Sequence, residues 1–168
     1  LAKKIKKSKK RKHRLLIAFL IVIIIITSGA FFFYNKYLGG INSVELTDDT
    51  EELGINEDVE TMANDNIINI ALFGIDTRAD DYDGRADSIM IATLDKEHKK
   101  IKLTSIMRDL YVSIPDKKYD KINHSYMYGG AALTIKTINQ NFDMNIKDYV
   151  TVNFESMEKI VDAVGGVE

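Results

Sequence analysis

The sequence predicts an α/β domain with a mixed, largely antiparallel sheet flanked by helices, preceded by one transmembrane helix. Three observations carry this expectation. A charge-free apolar run occupies residues 15–34, dense β-branched runs alternate with polar turns from Asn66 onward, and two later segments space their apolar residues as a helix does.

The apolar run reads LLIAFLIVIIIITSGAFFFY. At ~1.5 Å per residue, about 20 helical residues span a hydrocarbon core of ~30 Å. Nine of the 23 Lys and Arg residues lie between Lys3 and Arg14, where there is no acid. A basic cluster before the first apolar helix is kept on the cytoplasmic side, so the rest of the chain is expected outside the cell membrane. Phe31, Phe32, Phe33, Tyr34 and Tyr37 then fall near the outer headgroups. A cleaved signal peptide ending at Ser28-Gly29-Ala30 is the competing interpretation, and the aromatic continuation favours a retained anchor. The adjacent apolar helix accounts for the basic run, so no nucleic-acid partner is expected.

Past the anchor, 14 basic side chains face 25 acidic ones, a net of −11 against −2 for the whole chain. Residues 35–65 hold nine acids against Lys36 alone and few large apolar groups, which predicts an acidic spacer with little to bury. The expected organisation is a basic cytoplasmic segment (1–14), the transmembrane helix (15–34), this spacer (35–65) and one catalytic domain (66–168). The absence of Cys excludes a disulfide scaffold, and three His residues make a zinc site improbable.

Within the domain, Ile67–Ile75 and Ser88–Leu94 read as buried strands. Asp95-Lys96-Glu97-His98 is a polar turn, after which Lys100–Ile106 alternates Ile101, Leu103 and Ser105 with Lys102 and Thr104, a hairpin with one wet face. Leu110–Ile114 is a short strand closed by Pro115. Gly129-Gly130 opens a helix with Ala131, Ile135, Ile138 and Phe142 on one face. Asp148–Phe154 is a further strand, and Glu155–Val164 a helix expected to turn Met157, Ile160, Val161 and Val164 to the core. The hairpin argues against a purely parallel sheet.

Charged groups gather where these strands end. Asp76-Thr77-Arg78 follows the first, Gly84-Arg85-Ala86-Asp87 precedes the second, Arg108-Asp109 follows the third, and Lys121-Ile122-Asn123-His124 comes after the fourth. A guanidinium fork matches phosphate oxygens, and carboxylates without nearby His or Cys suit a hard ion such as Mg²⁺. Together they describe a diphosphate site. Taken singly, each is equally a turn former or a surface ion pair, and His124, Tyr126 and Tyr128 read as structural or core residues.

Read together, ALFGIDTRADDYDGRADSIMIATLDKEHKKIKLTSIMRDLYVSIP, KINHSYMYGG and DYVTVNFESMEKIVDAVGGVE closely resemble the LytR-CpsA-Psr family from about Asn66 to the end. The resemblance implies a phosphotransferase-type ligase of the cell wall. Such an enzyme takes an anionic glycopolymer, teichoic acid or capsule, from an undecaprenyl diphosphate carrier and joins it to peptidoglycan through a phosphodiester. It implies Mg²⁺ or Mn²⁺ at Asp76 and Asp87, and pyrophosphate contacts from Arg78, Arg85 and Arg108. Lys121 joins them from the fourth loop, and Asp109, beside Arg108, is the expected general base by position. A metal-dependent lipid-diphosphate hydrolase and a non-catalytic polyprenyl-phosphate or glycopolymer binding protein use the same residues. Family domains continue past a GGVE sequence and this chain begins at Leu1, so a fragment is expected.

Overall fold

The computed structural model describes residues 2–37, 43–61, 63–76 and 84–167, with side chains of the first helix described at 13 and 15–36. The chain forms two compact units, Leu1–Val44 and Glu45–Glu168.

The first unit is α1 (Ala2–Tyr37). Its stretch Leu15–Lys36 is long and apolar enough to cross a membrane by length and composition, and its side chains are exposed throughout. A one-turn helix, α2 (Glu57–Thr61), opens the regular structure of the second unit.

Four strands form the main sheet: β1 (Ile67–Ile75), β2 (Ala86–Asp95), β3 (Lys100–Ile106) and, after β4 (Tyr111–Ser113) and β5 (Tyr119–Lys121), β6 (Asp148–Val152). Their order is β3-β2-β1-β6, with β6 parallel to β1 and the other neighbours antiparallel. The sheet is therefore mixed and largely antiparallel. The expected polar turn joins β2 to β3, where Asp95 Oδ1 accepts the His98 N–H at 3.0 Å. β4 and β5 make a separate two-stranded ribbon.

The ribbon leads directly into α3 (Ile122–Phe142), which is longer than expected. Gly129-Gly130 departs from helical geometry and separates a first helical arm from the helix that it opens, as expected. Gly130 sits at φ 62°, ψ −154°, a region open in practice to glycine alone. The glycine pair thus permits a kink and leaves Ile122–Tyr128 as a helical arm ahead of it. α3 buries Ile122, Tyr126, Ile135 and Ile138 against Ala71, Phe73, Ile75, Ile89 and Ile91. Tyr126 meets Phe73 edge-on at 5.6 Å and is 3% exposed, so this tyrosine is a core residue, as expected.

Two expectations fail in instructive ways. The acidic stretch expected to bury little contributes Leu53, 1% exposed, and Ile55, 7% exposed, to the core. The Leu53 carbonyl accepts a bond from the buried Asn139 Nδ2 at 2.9 Å. Acid content describes the solvent side of a segment, and two apolar residues suffice to dock the other side. Conversely, α4 (Phe154–Ala163) forms as expected, with Asn153 capping it through Ser156 N–H, but buries none of its residues. Met157, Ile160 and Val164 are about half exposed or more.

Candidate active site

The site is built at one end of the main sheet. β1 and β2 pair without interruption up to Gly74 opposite Ser88, and the next rung joins Ile75 to Ala86. Asp87 is therefore the extra residue of a β-bulge, a device that takes a side chain out of the ladder and aims it elsewhere. Asp76 and Arg85, both exposed, leave this last rung on the two strands.

Arg108 and Asp109 occupy the turn after β3, closed by Leu110 N–H to Met107 C=O at 3.0 Å. The same turn is fastened to the beginning of α3. Its Arg108 carbonyl accepts Asn123 N–H at 3.2 Å, and its Leu110 carbonyl accepts Ile122 N–H at 2.8 Å. Lys121, last residue of β5, is thereby brought beside it.

The side chains form an alternating chain of charge. Asp87 Oδ1 lies 2.8 Å from Arg108 Nη1, Arg108 Nε lies 3.7 Å from Asp109 Oδ2, and Asp109 Oδ1 accepts from Lys121 Nζ at 2.7 Å. All four are roughly half exposed. The Lys121 hydrogen bond, aided by the Lys121 and Arg108 charges, holds the Asp109 carboxyl below its ordinary value. Exposed pairs of this kind are weak, so an arriving anion can exchange with the carboxylates at little cost.

A second group sits alongside. Asp120 Oδ2 receives both His124 Nδ1 and the Tyr128 hydroxyl at 2.9 Å, and Asp120 Oδ1 receives the Lys121 N–H at 2.8 Å. The His124 bond, then the Lys121 N–H and the Tyr128 hydroxyl, lower the Asp120 carboxyl to about 2. Lys117 Nζ stands 5.5 Å from the Tyr128 ring centre, and the Arg85 charge also reaches the Tyr128 hydroxyl.

Of the residues singled out from the sequence, Asp87, Arg108, Asp109 and Lys121 are thus in mutual contact. Asp76 and Arg85 stand at the same sheet end, and Arg78 lies outside the described residues. Asp120 and Tyr128 were missed as site residues. Their signal was the four-residue spacing Asp120, His124, Tyr128, legible only once residues 122–128 are seen to be helical.

Among the described residues no three His, Cys, Asp or Glu side chains form a metal cluster. Asp76 and Asp87 at one sheet end fit a different arrangement, since Mg²⁺ commonly takes one or two carboxylates and completes its shell with substrate phosphates and water.

Fold and site together define an α/β protein with a cluster of alternating charge at one sheet end, preceded in sequence by a helix long and apolar enough to cross a membrane by length and composition. The chain belongs to the LytR_cpsA_psr family, whose model matches residues 33–168. It is 43% identical over 110 residues to a polyisoprenyl-teichoic acid–peptidoglycan teichoic acid transferase TagU of Bacillus cereus, covering 65% of this chain and 36% of that protein. A TagU of Enterococcus faecalis is 36% identical over 129 residues, 75% of this chain and 42% of that one. Among solved structures, the family protein YwtF (TagT) with bound octaprenyl pyrophosphate lipid superposes with a TM-score of 0.61 at 29% identity, over 74% of this chain and 49% of that one. TagT bound to LI-WTA gives 0.61 at 31% identity, over 74% and 47%. The chain spans less than half the length of these relatives.

Proposed function

We propose that the protein transfers an anionic glycopolymer, of teichoic acid or capsule type, from an undecaprenyl diphosphate carrier to peptidoglycan, leaving a phosphodiester. The observation that carries this function is the Asp87–Arg108–Asp109–Lys121 chain. Three separate segments converge to present two phosphate-binding cations, each held in place by a carboxylate that substrate oxygens can replace. Structurally similar TagT holds octaprenyl pyrophosphate, which is the same class of group.

In this scheme Arg108, Lys121, Arg85 and Arg78 contact the diphosphate oxygens. A sugar hydroxyl of peptidoglycan attacks the phosphorus nearer the glycan, and polyprenyl phosphate departs. Charge that grows on the phosphoryl oxygens meets cations already in position, which is where such transfers gain most of their rate. A Mg²⁺ ion bound by Asp76 and Asp87 would add charge neutralisation at the same oxygens. Asp109 orients Arg108 and Lys121, and its two ion pairs make it a weak proton acceptor. With α1 in the membrane and the N-terminus in the cytoplasm, protein and lipid-tethered substrate share one thin layer, which raises their effective concentration.

The test is direct. The full chain in lipid nanodiscs, given Mg²⁺, a lipid-diphosphate glycan and peptidoglycan fragments, should yield a phosphodiester-linked product, and Arg108→Ala should lower the rate at least ~100-fold. Free glycan phosphate in the presence of abundant acceptor would point to hydrolysis. No product from folded protein would overturn the proposal.

A further inference from the structure

The Asp120, His124 and Tyr128 group takes no part in the scheme above, yet it has the construction of a proton-handling site. Asp120 is saturated: Oδ1 accepts the Lys121 N–H at 2.8 Å, and Oδ2 accepts both the Tyr128 hydroxyl and His124 Nδ1 at 2.9 Å. Held as a carboxylate, it can only accept, so His124 donates from a protonated Nδ1 and Nε2 is the ring nitrogen left for another partner. No hydrogen bond to Nε2 occurs among the described residues. The Tyr128 ring stands edge-on to the imidazole at 6.1 Å and fixes its plane. His124 is 21% exposed, sheltered from bulk water and still reachable.

Its position suits the phosphate cluster. His124 follows Asn123, whose N–H binds the Arg108 carbonyl, and lies three residues after Lys121, which binds Asp109. His124 lies within electrostatic reach of Asp109. Among the described residues, the charged and titratable groups around the ring are Asp120 and Lys121 from β5 and Asp109 from the turn after β3. Tyr128 from α3 joins them, and Arg85 and Lys117 act through Tyr128.

We propose that His124 Nε2 is the proton acceptor for the sugar hydroxyl of the acceptor glycan, with Asp120 and Tyr128 as positioning residues that set its tautomer and ring plane. This role rests on the transfer activity proposed above. The hydroxyl oxygen bonds to the phosphorus nearer the glycan as its proton passes to Nε2. The bond from that phosphorus to the bridging oxygen breaks, the electron pair leaves with polyprenyl phosphate, and the imidazolium returns its proton to this phosphate or to water. An imidazole nitrogen with no hydrogen bond of its own is open to this proton, whereas Asp109, tied to Lys121 and Arg108, accepts one poorly.

The experiment compares the full chain in nanodiscs with His124→Gln, Asp120→Asn and Tyr128→Phe, using the lipid-diphosphate glycan and peptidoglycan fragments across pH. Each variant is first matched to the parent by circular dichroism. His124→Gln should lower kcat by roughly 10²- to 10⁴-fold, with KM for the lipid within about twofold, and should abolish the rise in rate with pH. Asp120→Asn should lower kcat about tenfold and keep that rise, because the base remains and only its orientation suffers. Tyr128→Phe should lower kcat by less than Asp120→Asn does. A parent chain that makes product, paired with a His124→Gln variant within twofold of it and showing the same pH rise, overturns this role alone. A folded parent that makes no product removes the transfer activity and this role together.

Discussion

On one face of the main sheet Ala71, Phe73, Ile89 and Ile91 lie under α3 and are at most 5% exposed, whereas on the other Ile101 and Leu103 stand 73% and 62% exposed. The strand register makes this second face continuous. Ile70, Ala92 and Leu103 form one row across three strands, and Ile68, Leu94 and Ile101 form the next. Both faces are apolar, which is the pattern of strands meant for layers on both sides. Composition thus grants a face the capacity to be buried, while a packed partner decides whether it is. An open apolar face of this kind marks a contact surface.

Substitutions can break this contrast. Phe73→Ala, on the covered face, should cost the most, about 3–5 kcal/mol in urea unfolding of the chain in detergent, followed by circular dichroism. Leu53→Ala should cost about 2–5 kcal/mol by the same measurement, because the acidic segment it belongs to is docked on the core. A cost near zero would return that segment to the status of a spacer. Asn139→Ala should cost about 2–3 kcal/mol. Its amide joins the Leu53 and Ile146 carbonyls and the Ile146 N–H, and truncation strands all three. Leu103→Ala should change stability by no more than about 0.5 kcal/mol. An effect comparable to Phe73→Ala would mean that the second face is covered in the working protein.

The smallest effect concerns acid. The Asp120 carboxyl is lowered to about 2, below its unfolded value near 4, chiefly by His124 and also by the Lys121 N–H and Tyr128. A depressed folded value stabilises the native state above the unfolded value and loses that contribution as pH falls through the folded one. The stability advantage of the parent over Asp120→Asn should therefore be constant above about pH 5 and shrink between about pH 4 and 2. A gap that persists below pH 2 would show that the carboxylate charge is not its source.

Much of this molecule is legible in its sequence because the relevant forces are local. A 20-residue charge-free run is a helix able to span a bilayer whatever follows it, and β-branched runs such as Ile67–Ile75 are strands wherever they pack. The charged loops at the strand ends are equally local, and four of their residues do converge. Tertiary structure alone decided the rest. Residues 122–128 form a helical arm whose Tyr126 packs on Phe73, and Leu53 became core with its carbonyl bonded to Asn139, 86 residues away. The same holds for α4, whose stripe fixes which side can be buried and cannot supply the surface that buries it. The site obeys this division too. Sequence supplies Arg108, Asp109, Lys121 and Asp120, and the backbone bonds between the turn after β3 and the first turn of α3 determine which of them meet.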